Sequence, residues 1–444
     1  MILPQPVQLI LQRLLEHGFE AYAVGGCVRD SLNGTEPHDW DICTAALPEE
    51  TKACFSDYPV AQIGIRHGTI SVIIDHEPYE ITTYRIDGDY LDNRHPAQVT
   101  FTPSLREDLA RRDFTINAMA YSDAAGIVDL FGGEKDLKKH LIRCVGDPDE
   151  RFQEDALRIL RALRFASRFD FSIEKKTSEA IHRKAGLLRN IAAERLRDEL
   201  VGILCGKGVE PILNEYRDVL AVLIPEFIPT FDFDQHNPHH CFDVYRHILR
   251  SVSLIEADPV LRLTMLFHDI GKPQVCLEGK NGVRHFRGHP TISADIASAV
   301  FHRLRFSNDT TQTCLQLITY HDVRYKGSKS QLKRLLRILG EKNMQLLFKV
   351  QLADLMAQSD YRREEKRAVL NEMIAMTNKI LEEQQCFTLK HLAVNGRDLI
   401  AIGITDGKQI GNVLRGLLEE VIEEKQPNEK TALLKRAEEL QSKT

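Results

Sequence analysis

No stretch of this 444-residue sequence approaches the run of roughly 20 apolar residues that a membrane-spanning helix needs. The opening residues, MILPQPVQLILQRLLEHGF, intersperse Gln, Arg and Glu among apolar positions at helical spacing, so a secretory signal is not expected. The nine cysteines, at positions 27, 43, 54, 144, 205, 241, 276, 314 and 386, contain no C-x-x-C pair and form an odd total. That scatter excludes a zinc ribbon or a disulfide framework, and predicts reduced thiols in a cytoplasmic, membrane-free protein. A strongly basic balance is missing too: 58 Lys and Arg against 64 Asp and Glu give a formal charge of −6. Any polyanion would have to be met by a local patch.

What is present is an ordinary globular composition, 43% hydrophobic and 27% charged, on a chain long enough for two or three domains. The most informative stretch is AYAVGGCVRDSLNGTEPHDWDICT, residues 21–44. It reads as a strand, a Gly25-Gly26 turn opening a helix, and a second strand carrying Asp39 and Asp41. A glycine turn into a helix offers free N–H groups and a positive dipole end to an anion, and Arg29 adds charge there. Carboxylates two apart on a strand share a face and suit a divalent cation. Phosphate site and carboxylate pair together imply a metal-bound triphosphate.

The string GG-x-VRD-x-L followed by D-W-D-I resembles the signature of the DNA polymerase β-like nucleotidyltransferases, specifically the class II tRNA CCA-adding enzymes and bacterial poly(A) polymerases. The resemblance implies an α+β fold, with a mixed-sheet head followed by an all-α neck, an HD-type helical domain and a helical tail. It implies Mg²⁺ on Asp39 and Asp41 as the catalytic metal, and tRNA, ATP and CTP as partners. A second match, LARRDFTINAMAY, carries over nucleotide contacts to Arg111, Arg112, Asp113 and Asn117, with Asp113 accepting from a ribose hydroxyl. The segment 85–101, RIDGDYLDNRHPAQVTF, reads as a mobile loop of the kind found in members that add adenosine. Glu80, on a strand before it, is a candidate third carboxylate, and Gly132-Gly133 reads as a structural turn.

Residues 152–169, FQEDALRILRALRFASRF, predict one continuous helix on which Asp155 and Arg158 share a face. Alone, the pair is an intrahelical ion pair worth a few tenths of a kcal/mol. A carboxylate only accepts and a guanidinium only donates, a pattern that fits cytosine and adenine and rejects uracil and guanine. E-D-x-x-R resembles the family element in which this pair acts as an amino-acid template, with Glu154 fixing the arginine. Arg161 is a further nucleotide contact, and Arg164 and Arg168 are candidates for RNA phosphates. AAERLRDEL, with Glu194, Arg195 and Glu199, resembles the brace of the neck.

Further on, His268-Asp269 in LRLTMLFHDIGKPQV resembles the signature of the HD phosphohydrolases, with His247 upstream and Asp354 downstream completing a four-residue set. His and Asp ligands suit Mn²⁺, Fe²⁺ or Ni²⁺. His289 and His321 are candidates for a second metal or for phosphate binding. The expected division is a catalytic head at 1–140, a neck at 141–235, an HD-like domain at 236–365 and a tRNA-contacting tail at 366–444. The leading expectation is a template-independent tRNA nucleotidyltransferase completing 3′-CCA. Poly(A) or partial addition, an HD phosphohydrolase with a nucleotide-binding head, and a silent RNA-binding protein are the alternatives. The oligomeric state is open.

Overall fold

A helix at Gln5–Glu16 buries Val7, Ile10, Leu11 and Leu14, the i, i+3, i+4, i+7 stripe that drives an amphipathic helix onto a core. It ends before Gly18, whose φ of +86° turns the chain toward the first strand. This computed structural model describes residues 1–65, 68–88 and 99–441. They separate into two compact units, Met1–Phe227 with Arg303–Arg305, and Ile228–His302 with Phe306–Thr444.

In the first unit, strands β1 (Ala21–Val24), β2 (Ile42–Thr44), β3 (Val60–Gly64), β4 (Thr69–Ile74) and β5 (Glu77–Thr83) come before a short hairpin of β6 (Arg85–Asp87) and β7 (Val99–Phe101). β8 (Met119–Ser122) and β9 (Gly126–Asp129) follow, and the main sheet has the order β3-β4-β5-β2-β1-β8-β9. Only β2 and β5 pair in parallel; the other neighbours are antiparallel. The alternation that marks β4 in sequence is realised, with Ile70, Val72 and Ile74 buried between half-exposed neighbours.

The fold class is as expected, an α+β head followed by helices. Glu80 is exposed on β5 opposite Ser71, on the same face as Thr82, which lines a recess with Asp41. Two local expectations are corrected. Asp39 and Asp41 lie in the segment entering β2, not on the strand itself, although Asp41 already accepts a ladder bond from Val24 N–H at 2.9 Å. The second concerns 152–169, which is not one helix: Pro148–Glu154 ends, Asp155 is extended, and Leu157–Phe169 begins anew. The cause is local, because Asp155 turns its carboxylate onto the Leu157 N–H at 3.0 Å and so caps the second helix from outside. Of the predicted loop, residues 89–98 lie outside the described residues.

The neck helix Leu157–Phe169 packs on Ala193–Leu204 at close range. A Cβ on Gly206 would stand 2.1 Å from Ser167 Oγ and 2.5 Å from the Ser167 carbonyl carbon, and Ser167 Oγ donates to Ile203 O at 2.7 Å. Gly132-Gly133 is a structural turn, since Asp129 accepts from the Gly133 and Glu134 N–H groups that an anion would need. The second unit is helical, including Val244–Leu254, Pro259–Phe267, Asn308–Tyr320 and Arg363–Glu382, with a long element, Lys329–Ala357, kinked at Gly340. The last helices, Gly407–Ile422 and Lys430–Gln441, bury Leu417, Ile422 and Leu433 in a small core shared with Val394, Leu399 and Ile404.

Gly206→Ala should lower the stability of the first unit by about 1–3 kcal/mol, the cost of overpacking a closed contact. Gly186→Ala, facing open space, is the neutral comparison. Thermal melts of both variants test this, and equal midpoints would contradict the close approach.

Candidate active site

The turn after β1 needs glycine, because Gly25 has φ +81° and a Cβ there would meet Arg112 Nη1 at 2.8 Å. Gly25 N–H donates to Met119 O at 3.1 Å, fixing the turn to β8, and the helix Gly26–Leu32 starts from it. Arg29, on that helix, is buried. It bonds Asp30 and Asn117 Oδ1, at 2.8 and 2.5 Å, and lies 5.2 and 4.9 Å from the rings of Phe165 and Phe169. Burial lowers its pKa from the usual arginine value. The returning segment brings Asp39 and Asp41 to the same recess. Burial raises the Asp41 pKa; Arg112 opposes the rise and Asp39 adds to it. That carboxylate pair gains from a cation between its members.

Arg111 and Arg112 are not a solvated face. Asp108, fully buried at 0% exposure, accepts from Arg111 Nε and Nη2 at 3.0 and 2.7 Å and from Arg112 Nη2 at 3.5 Å. Burial works against charge on Arg112, but Asp108, Cys43 and Asp41 outweigh it and raise its pKa. Asp108 went unnoticed in the sequence, where its signal is the spacing of three and four residues to the two arginines. Asp113 lines the pocket and is also engaged within the protein. Oδ1 accepts from Phe114 N–H and Asn117 Nδ2 at 2.8 and 3.0 Å, and Oδ2 accepts from Arg161 Nε and Nη2 at 2.8 and 2.6 Å. Asp113 thereby braces the head against the neck.

On the neck, Arg158 donates to Glu154 at 2.7 Å and to Arg111 O at 2.9 Å, and Asp155 faces Arg195 at 3.4 Å. Arg164 is held by Glu199 at 2.6 Å, and Arg168 lies over Phe169. All of these converge. One open pocket of about 580 Å³ is lined by Gly25, Gly26, Arg29, Asp39, Asp41, Arg111, Arg112, Asp113, Asn117, Asp155, Arg158, Arg161, Arg164 and Arg168, together with Phe165 and Arg195. Eight arginines against four aspartates make it a positive basin on a negatively charged chain, the local patch that a polyanion requires. Phe165 was not singled out in the sequence, and Arg195 was read only as a brace.

Three family models match parts of the chain: the Poly A polymerase head domain over 21–143, the probable RNA and SrmB-binding site of polymerase A over 170–229, and a putative tRNA nucleotidyltransferase domain 2 over 291–437. The CCA-adding enzyme of Levilactobacillus brevis is 37% identical over 425 residues, 96% of this chain and 95% of that protein. This chain belongs to the CCA-adding enzyme family. The Limosilactobacillus fermentum member is 36% identical over 98% of this chain and 97% of its own length. The crystal structure of the Bacillus stearothermophilus CCA-adding enzyme in complex with CTP aligns over 100% of this chain and 99% of that one, with TM-score 0.71 and 28% identity. The Thermotoga maritima enzyme complexed with tRNA shares the fold, with TM-score 0.62 and 23% identity. The chain is therefore a nucleotidyltransferase, and no helix among its described residues is long and apolar enough to cross a membrane.

This CCA-adding family member carries a second constellation in its helical unit. His247, His268 and Asp269 are buried and Asp354 half-buried, with one ligand atom of each within 4.8 Å of the others; Asp269, His289 and His321 form a second such group. His247 Nε2 lies 3.1 Å from Asp269 Oδ2 and 3.0 Å from Asp354 Oδ1. Asp269 and Asp354 push the His268 pKa up to about 10 against the effect of its burial. A proton held among the ligand atoms sits where a cation would.

For Asp113, burial alone would raise the pKa, but Arg161 and Asn117 hold it down to about 2. A folded value below the unfolded one of about 3.9 means the stabilisation is complete above that value and is lost as pH falls through 2. Denaturant unfolding should show a contribution of about 2 kcal/mol at neutral pH that disappears toward pH 2. Asp113→Asn should lack this component of the pH dependence, and an unchanged profile in the variant would refute the assignment.

Proposed function

We propose that this member of the family completes the 3′-CCA end of tRNA from CTP and ATP, with the chemistry at Asp39 and Asp41 and the choice of base at Asp155 and Arg158. The observation that supports this reading is that both pairs, with Asp155 116 residues beyond Asp39 and Arg158 117 beyond Asp41, line one arginine-rich pocket. Asp39 and Asp41 would hold Mg²⁺, a fit supported by the raised pKa of Asp41 beside a second carboxylate in the same recess. Bound there, the metal supplies charge neutralisation for the triphosphate and acidifies the attacking 3′-hydroxyl. Gly25 and Gly26 present backbone to the phosphates. Arg111 and Arg112, aimed by Asp108, add fixed charge. Asn117, Arg29 and Arg161 hold the wall against which the nucleotide sits.

At the base, Asp155 accepts from the amino group of C or A and Arg158 donates to the adjacent ring nitrogen. Uracil or guanine would leave both side chains facing like groups, the kind of buried mismatch that discriminates strongly. Arg164 and Arg168, on the same helix, are assigned to the phosphates of the acceptor RNA. We assign the catalytic head to 1–140, the neck to 141–235, the HD-like domain to 236–365 and the tail, with its tRNA contacts, to 366–444. The cellular site proposed is the cytoplasm, in keeping with nine cysteines none of which is paired.

A second reading attaches to the helical unit. His247, His268, Asp269 and Asp354 bind one divalent transition metal, Mn²⁺, Fe²⁺ or Ni²⁺, in an HD-type site, supported by the closeness of their ligand atoms.

A tRNA ending at the discriminator base, incubated with CTP, ATP and both, should gain two C residues and then one A. A long A tail, or arrest after two C residues with ATP present, would overturn CCA completion. The double variant Asp39→Ala plus Asp41→Ala should abolish addition and leave the fold intact by circular dichroism. Asp155→Asn introduces an amide donor where only an acceptor stood, and should relax discrimination against UTP by roughly 10- to 100-fold. Unchanged selectivity in single-turnover assays would remove Asp155 from base choice.

A further inference from the structure

The neck helix changes its apolar residue where it meets the pocket. Leu157, Leu160 and Leu163 are buried in its earlier turns, but the positions that share a face with Arg161, Arg164 and Arg168 are Phe165 and Phe169. Residues 161, 164, 165, 168 and 169 recur at i, i+3, i+4, i+7 and i+8, so arginine and phenylalanine interleave on one side of the helix. Leucine would also pack there. What it lacks is a ring with a negative face.

The arginines use those faces. Arg29, Arg161 and Arg164 lie 5.2, 5.4 and 4.5 Å from the Phe165 ring centroid, and Arg29 and Arg168 lie 4.9 and 5.4 Å from that of Phe169. The two rings are parallel to within 4° with centroids 6.0 Å apart, and Phe114 meets the first edge-on at 5.8 Å. Phe165 is only 5% exposed, so the guanidinium groups, more than the ring, form the pocket surface. A carboxylate partner consumes donors: Asp113 takes Nε and Nη2 of Arg161, and Glu199 takes Nε of Arg164. A ring face attracts the cation as a whole and leaves its N–H groups for phosphate oxygens. Arg168 is the extreme case, since among the described residues it has no carboxylate partner and rests on the Phe169 ring.

We propose that Phe165 and Phe169 are positioning residues for substrate phosphates, their rings holding arginines in the basin by cation–π attraction while leaving the donors free. Phe165, through Arg29, Arg161 and Arg164, acts on the nucleoside triphosphate; Phe169, through Arg168, acts on the phosphates of the acceptor RNA. This rests on the assignment of the basin to those two ligands made above. Each contact is small, but three converge on Phe165, so withdrawing its ring charge should weaken triphosphate binding about tenfold. Neither ring offers a group to the chemical step, so the loss falls on affinity and KM and leaves kcat unchanged.

The test replaces Phe165 in the full chain, site-specifically, by phenylalanine analogues carrying one, two and three ring fluorines, which drain the negative face at nearly constant size. The Kd for CTP, by equilibrium dialysis with Mg²⁺ and no tRNA, should rise stepwise along the series, with the KM for CTP following it and kcat flat. The same series at Phe169 should weaken binding of a tRNA ending at the discriminator base, and Arg168→Gln should abolish that dependence. A flat CTP series, even with weak binding by Phe165→Leu, means that Phe165 only fills space and overturns the proposal there. A flat tRNA series, or one that survives Arg168→Gln, overturns it at Phe169, and a fall in kcat at constant KM overturns the positioning role. If the unmodified protein fails to extend tRNA with CTP and ATP, CCA completion falls while the binding series still decides the role of the rings. No CTP binding by the unmodified protein overturns both.

Discussion

The active pocket depends on one carboxylate. Asp113 accepts from Arg161 of the neck, from Asn117 nearby and from the next backbone N–H, so that a loop of the head and a neck helix share a single charge. Asn117 passes the constraint to Arg29, and Arg29 rests on Phe165 and Phe169 of the same neck helix. Eight arginines facing one cavity would repel, and they are held because each of several carboxylates is committed to them: Asp108 to Arg111 and Arg112, Glu154 to Arg158, Glu199 to Arg164. The basin is preorganised positive charge with its cost of assembly met by the fold and not by the ligand.

How much of this could be read from the residues follows from what local sequence encodes. The helix stripe at Gln5–Glu16, the alternating strand Thr69–Ile74 and the glycine turn at Gly25 are all set by neighbours in the chain, and each was legible. The convergence of residues from 25 to 168 on one pocket was legible only through the motifs, because no period or propensity reports a contact between segments a hundred residues apart. The helix break at Asp155 was missed for a different reason. The apolar pattern runs through it unbroken, and the break arises because a carboxylate competes for the Leu157 N–H, an interaction that periodicity does not see. Asp108 escaped notice as one more acid on a helix, since burial is a property of the fold. Asp113 was read only as a ligand contact, and its bond to Arg161, between segments 48 residues apart, is likewise a property of the fold.

The helical unit presents the same logic with histidine. The resemblance to the HD signature supplied the residues of the four-residue set, but only the structure shows that backbone carbonyls turn the rings inward and that the two oxygens of Asp269 face opposite groups. A list of ligand types in a sequence has no direction, and direction is what separates a metal centre from a set of buried histidines.

The bond between Asp113 and Arg161 also bears on how such a protein can change over time. The partners lie 48 residues apart, and losing Arg161 leaves the buried Asp113 carboxylate without its ion-pair partner. Any lineage that alters one must pass through a weakened form before it alters the second. A barrier of folding stability, separate from selection on catalysis, thus protects the geometry of the pocket.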